Sequence, residues 1–192
     1  MKLIAAVAMI VSLEQSHVVM DNARVRVYRA DARSLAGVEH GPGVVIAIQD
    51  PGDPSARAVW REDVADAKGL APGPLVIVQP RKNAPKPAAP RAGSAPGSAP
   101  FVGMSFVPVF ENPQVSVLRA RMDVDAREGF HTHGSDTLVV HLSGGEIEDT
   151  ADGKTVVNRW KPGDVEFESL GSSHSARNVG RAVDVILVAL KP

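Results

Sequence analysis

The sequence predicts an all-β protein whose second half is a β-sandwich or a small barrel. Three observations predict it. Runs of apolar and β-branched residues are short and recur at close spacing. Gly- and Pro-containing turns separate them. No helical periodicity longer than two turns is evident in the second half.

Val25 to Tyr28 alternates and opens the series. Gly43 to Gln49 reads as a more buried strand, ended by the turn Asp50-Pro51-Gly52-Asp53-Pro54. Ala58 to Trp60 is a third strand, Glu62 to Lys68 a helical turn or loop, and Pro74 to Gln79 a fourth strand. Residues 17–79 thus form one β-rich region. Residues 80–100 follow with six prolines, four basic residues and no acidic ones. Such a stretch buries too little apolar surface to fold and reads as a linker or surface loop. The domain expected to fold on its own spans 101–192. Its strand signals are Ser105–Phe110, Val115–Met122, Thr137–Leu142, Val156–Trp160, Val165–Phe167, His174–Asn178 and Val183–Leu190.

An internal repeat links the halves. Asp21 to Ala30 matches Glu111 to Ala120 at five of ten positions, 90 residues apart. A degenerate second copy of the barrel at the N-terminus accounts for this; chance likeness of two β segments is the alternative.

At the start, Lys2 precedes a run from Leu3 to Leu13 broken only by Ser12. Residues 1–16 read as a signal peptide or as an N-terminal extension packed on the body. Localisation is accordingly cytoplasmic or exported to the periplasm. The run is too short for a membrane span. Formal net charge is −1, so no basic field recruits nucleic acid. With no cysteine, thiolate zinc sites, iron–sulfur clusters and disulfides are excluded, and a metal would be held by nitrogen and oxygen.

His131 and His133 are two apart, which in a strand puts both imidazoles on one face. Thr132, Gly134 and Ser135 around them are small and polar, a poor setting for core packing. His174 follows the turn Leu170-Gly171-Ser172-Ser173, and topology returns its strand antiparallel to the histidine pair. The three are the candidate ligands of one divalent metal ion. Asp136 and Thr137 are candidate additional ligands or pocket residues, although alternation turns Asp136 away. His141 sits about 13 Å beyond Thr137 on the same face. It is a candidate catalytic residue at the pocket floor, as proton carrier or hydrogen-bond donor; a satisfied barrel histidine is the plainer reading. Trp160, Phe130 and Phe167 are expected in the core more than in the pocket.

These residues resemble the cupin family over most of 108–192. His131-Thr132-His133 and Gly144 fit the first cupin motif, and Gly163, Gly171, His174 and Asn178 fit the second with its spacing. The opening glycine of the first motif is missing, Ser169 stands at the proline position, and Thr137 stands where the metal-binding glutamate belongs. The resemblance implies an antiparallel jelly-roll barrel and a divalent cofactor: iron, manganese, zinc or nickel. It also implies a small-molecule substrate and a homodimer. Three neutral ligands would leave the full metal charge for an anionic bidentate substrate, as in three-histidine dioxygenases of this family; isomerases occur in it too. A non-catalytic ligand- or metal-binding module, or a structural barrel with a vestigial site, is the alternative.

Overall fold

The computed structural model describes residues 16–50, 52, 57–66, 68–81 and 101–191. The leader-like run and most of the proline-rich stretch lie outside the described residues. The described residues are all-β, with thirteen strands in two antiparallel sheets. Among the described residues, no helix is long and apolar enough to cross a membrane.

The first sheet contains β1 (His17–Asp21), β2 (Val25–Asp31), β3 (Gly43–Ala47), β4 (Ala58–Arg61) and β5 (Pro74–Pro80) in the order β1-β2-β5-β3-β4. The second contains β6 (Phe101–Glu111), β7 (Val115–Thr132), β8 (Thr137–His141), β9 (Gly145–Ala151), β10 (Lys154–Trp160), β11 (Val165–Glu168), β12 (Ser173–Asn178) and β13 (Val183–Leu190). Its order is β10-β9-β12-β7-β13-β8-β11, with β6 on the other edge of β7. The sheet curls into a jelly-roll half-barrel because β7 is long and bent. Its first part pairs β13 and its last part pairs β12, so it serves both walls. The bend falls where Asp125 adopts φ 60° beside Gly103 of β6 at φ 69°. A side chain at Gly103 would press on Ala126 at 3.1 Å. At the other end of the barrel, a Cβ on Gly144 would meet the Trp160 carbonyl oxygen at 2.5 Å, so the turn after β8 admits only glycine.

The sequence repeat is a repeat of structure. The order β1-β2-β5-β3-β4 corresponds to β6-β7-β13-β8-β11, and the pairing registers coincide. Val18↔Tyr28, Met20↔Val27 and Asp21↔Arg26 correspond to Pro108↔Leu118, Phe110↔Val117 and Glu111↔Ser116, irregularity included. Val44↔Val78 and Val44↔Trp60 correspond to Leu138↔Val188 and Leu138↔Phe167. Even the turns agree. The Asn22 side chain accepts the Arg24 and Val25 amides at 2.8 and 3.0 Å, and Asn112 accepts those of Gln114 and Val115 at 2.8 and 2.9 Å. The shared Asn-containing segment in the sequence is this turn.

The two copies pack face to face. One core cluster joins Val25, Val27, Val44, Ile46, Val76 and Val78 to their counterparts Val115, Val117, Leu138, Val140, Ile186 and Val188. All twelve are fully buried. Alternation makes this possible, since each strand gives its odd or even apolar set to the shared core and the rest to its other face. Polar ties rim the contact. Arg24 donates to Asp136 at 2.7 Å, and Arg29 donates to the Gly163 carbonyl and to Asp164, both at 2.8 Å.

Candidate metal centre

The opposite face of the barrel sheet encloses a cavity of about 220 Å³. Phe101, Met104, Phe106, Met122, Ile147, Val183, Val185 and Leu187 form its apolar side, and His131, His133, His174, Glu128, Glu166, Glu168, Asp149 and Asn158 its polar side.

The barrel brings the three predicted histidines together. His174 of β12 pairs directly with His131 of β7, as the antiparallel return required. The loop after β7 is pinned by reciprocal bonds, His133 N to Ser172 O and Gly171 N to His133 O, both 2.9 Å, which hold His133 over the same opening. The ring centroids form a nearly equilateral triangle of 4.8, 4.7 and 4.9 Å, and one nitrogen from each ring lies within 4.8 Å of the others. Two rings have their tautomer set. His131 Nδ1–H donates to the Gly129 carbonyl at 3.0 Å, and His174 Nδ1–H donates to Asp149 at 2.8 Å. Both Nε2 lone pairs are thereby left for a ligand, the arrangement that orients metal-binding imidazoles. His174 Nε2 is buried and has no hydrogen-bond partner. Burial, followed by the neighbouring His174 and His131, pushes the His133 pKa down to about 4, so its ring is neutral near pH 7. Converging, partly orphaned nitrogens fit a divalent ion.

Carboxylates that the sequence reading missed surround this triangle. Glu128 Oε1 is 3.5 Å from His131 Nε2, and Glu168 Oε2 is 3.4 Å from His133 Nδ1. Their second oxygens lie 3.9 and 3.8 Å from His174 Nε2. Burial, chiefly, raises the pKa of Glu128, Glu166 and Glu168, and for Glu168 the neighbouring Glu166, Glu128 and Asp149 add to it. Four acids thus line the same cavity as the three histidines. The signal for two of them was alternation. Val165 and Phe167 of β11 pack on the shared core, so Glu166 and Glu168 face inward. Glu128 had no such signal, because a register shift between β7 and β12 brings it onto the face of His131.

The remaining candidates separate. Thr137 lines the cavity, but its hydroxyl lies 3.3 Å from Ser135 Oγ and donates to the Ser135 carbonyl at 3.4 Å. Asp136 points away, as alternation implied. It accepts Arg24 Nε at 2.7 Å and the Leu170 amide at 2.8 Å, which makes it an anchor between the two sheets. His141 reaches the cavity wall and is 0% exposed. It stacks on Trp160 at 4.6 Å and 15°, and neither ring nitrogen has a partner. Burial pushes its pKa down to about 4, against a weaker opposite pull from Asp164. Trp160 therefore belongs to the cavity rather than the core, Phe167 packs on the shared core, and Phe130 is 69% exposed. His40 pairs with Asp63 at the surface and joins no candidate metal cluster among the described residues.

No family model and no curated protein matches the chain. Solved structures do. A cupin domain from Bordetella pertussis Tohama I matches at 19% identity and TM-score 0.45, over 48% of this chain and 98% of that one. KdgF from a Halomonas species matches at 22% identity and TM-score 0.40, over 47% and 81%. The Cnp3 cupin domain of Schizosaccharomyces pombe matches at 22% and 0.40, over 49% and 70%.

Proposed function

We propose that the barrel is a cupin-type metal centre in which His131, His133 and His174 hold one divalent ion and present it to a small molecule in the cavity. The observation that carries this reading is the triangle of imidazoles, two of them fixed by Nδ1 bonds with Nε2 turned to a common point. A bound ion would supply Lewis acidity, and redox capacity if it is iron or manganese. The chain's own residues do the rest. The apolar side of the cavity excludes water and packs against the carbon frame of the substrate. Glu166 and Asn158 offer polar contacts beyond the triangle. His141, neutral near pH 7, serves as a hydrogen-bond group of the wall rather than as a cation. The volume limits the substrate to a small molecule.

The reaction class we favour is a metal-dependent dioxygenation or isomerisation. Calorimetric titration with Mn²⁺ and Zn²⁺ tests the metal reading. Wild type binds one ion per chain, and His131→Ala, His133→Ala and His174→Ala each lower the affinity at least tenfold. Unchanged binding in His174→Ala rejects it. Oxygen uptake by the Fe²⁺-loaded protein with neutral diketones and thiols then separates dioxygenation from isomerisation.

A further inference from the structure

We infer that the metal centre is a three-histidine, one-carboxylate site and that Glu168 supplies the carboxylate from β11. The inference rests on the metal reading above and adds a ligand to it. Thr137, beside the histidine loop, has its hydroxyl engaged with Ser135 and offers the centre no charge. Glu168 is the residue paired with Thr137 across the β8–β11 ladder. A carboxylate thus stands beside the small threonine, on the adjacent strand. Its side chain is mostly buried, and among the described residues no hydrogen-bond donor engages it. What it faces instead is two of the three imidazoles, His133 at 3.4 Å and His174 at 3.8 Å. The His174 nitrogen on that side is the buried one that lacks a partner. A mostly buried acid without a hydrogen-bond donor, 3.8 Å from an orphaned imidazole nitrogen, is the arrangement a shared cation satisfies. Strand geometry holds it there, since Phe167 is locked in the shared core and Glu168 must face the opposite way.

Glu128 approaches from β7 and is the matched comparison, because it also faces two imidazoles. It lies in the same strand as His131, beside the irregular stretch of the β7–β12 pairing, whereas Glu168 sits in an unbroken ladder. The ladder position is the better-fixed donor.

A carboxylate ligand favours hard, oxygen-preferring ions more than it favours zinc. Titration of Mn²⁺ and Zn²⁺ into Glu168→Gln, Glu128→Gln and His174→Ala therefore tests the assignment without any substrate. Melting in EDTA shows that each variant is folded. Should Glu168→Gln not fold, Glu168→Asp, which withdraws the carboxylate by one methylene, takes its place. Glu168→Gln is expected to weaken Mn²⁺ at least tenfold and Zn²⁺ less, with Glu128→Gln weakening Mn²⁺ less than Glu168→Gln. Equal loss of both metals in Glu168→Gln, no loss of either, or a greater Mn²⁺ loss in Glu128→Gln overturns the assignment while leaving the histidine site standing. Unchanged binding in His174→Ala overturns the metal reading itself.

Discussion

The two copies in this chain share strand order, register and turn chemistry, yet the histidine-lined cavity lies in the C-terminal one. In the N-terminal copy the face turned away from the shared core is filled by its own loops. Val38, Val64, Leu35 and Leu70 pack on Tyr28, Val45, Leu75 and Ile77. In the C-terminal copy, β9, β10 and β12 extend the curl and leave that face open. The equivalent positions diverge to match. Thr137, His141, Glu166 and Glu168 correspond to Gly43, Ala47, Val59 and Arg61. The shared face kept its valines and isoleucines in both copies, whereas the inner face became either a plug or a site. Packing on one face of a sheet leaves the other free to diverge, because alternation assigns each residue to one face alone.

The comparison breaks most severely if one copy is removed. The sequence alone reads 101–192 as a domain that folds on its own, but as a fragment it exposes Val115, Val117, Leu138, Val140, Ile186 and Val188, so we expect it to lose cooperative thermal unfolding. A sharp calorimetric transition in that fragment would instead make 101–192 a self-sufficient domain and the core between copies a docking face.

Matched substitutions sharpen the contrast. Ile77 and Leu187 occupy equivalent positions, one under the plug and fully buried, the other partly buried on the open cavity. Ile77→Ala should cost about 4 kcal/mol in urea unfolding and Leu187→Ala about 2, since the second removes atoms that already border space. Equal costs would mean that the cavity is packed as tightly as the plug.

His141 stands where the plugged copy has Ala47 and should make metal-free stability depend on pH. Its pKa falls from 6.5 to about 4 on folding, so between these values the unfolded chain binds more protons. Its contribution is complete above about pH 6.5 and is lost as pH falls through the window to about 4, a span worth on the order of 3 kcal/mol. His141→Phe, which keeps a ring against Trp160, should flatten that part of the profile. An unaltered profile would mean that the ring is hydrated.

The smallest effect concerns the rim between the copies. Arg57 is 9% exposed, and its Nε and Nη1 have no hydrogen-bond partner. Arg57→Met should be neutral or stabilising by about 1 kcal/mol, as a buried charge with two unbonded guanidinium nitrogens is replaced by an apolar chain. A loss of more than that would reveal a partner in solution.

Much of this was legible in the residues. Alternation located β2, β7, β8 and β13, and the histidine spacing located the triangle. The acidic strand β9, Gly145–Ala151, was not legible, because none of its residues is fully buried and only Ile147 is strongly apolar. Yet β9 carries Asp149, which orients His174. The extension of β7 through Asp123-Val124-Asp125 was equally hidden, since its length comes from pairing on both edges rather than from propensity. The shared core was hidden for a different reason. Apolar alternation in the two halves shows that each has a buried face without showing that the faces bury each other.

The most direct test of the metal centre is a long-range ¹H–¹⁵N spectrum of the histidine rings, recorded as Zn²⁺ is added. The ring nitrogens of His131, His133 and His174 should shift together at one equivalent, with Nε2 as the bound atom in His131 and His174, while His17, His40 and His141 stay in place. Shifts at His17 or His40, or a triangle that does not respond, would contradict the site.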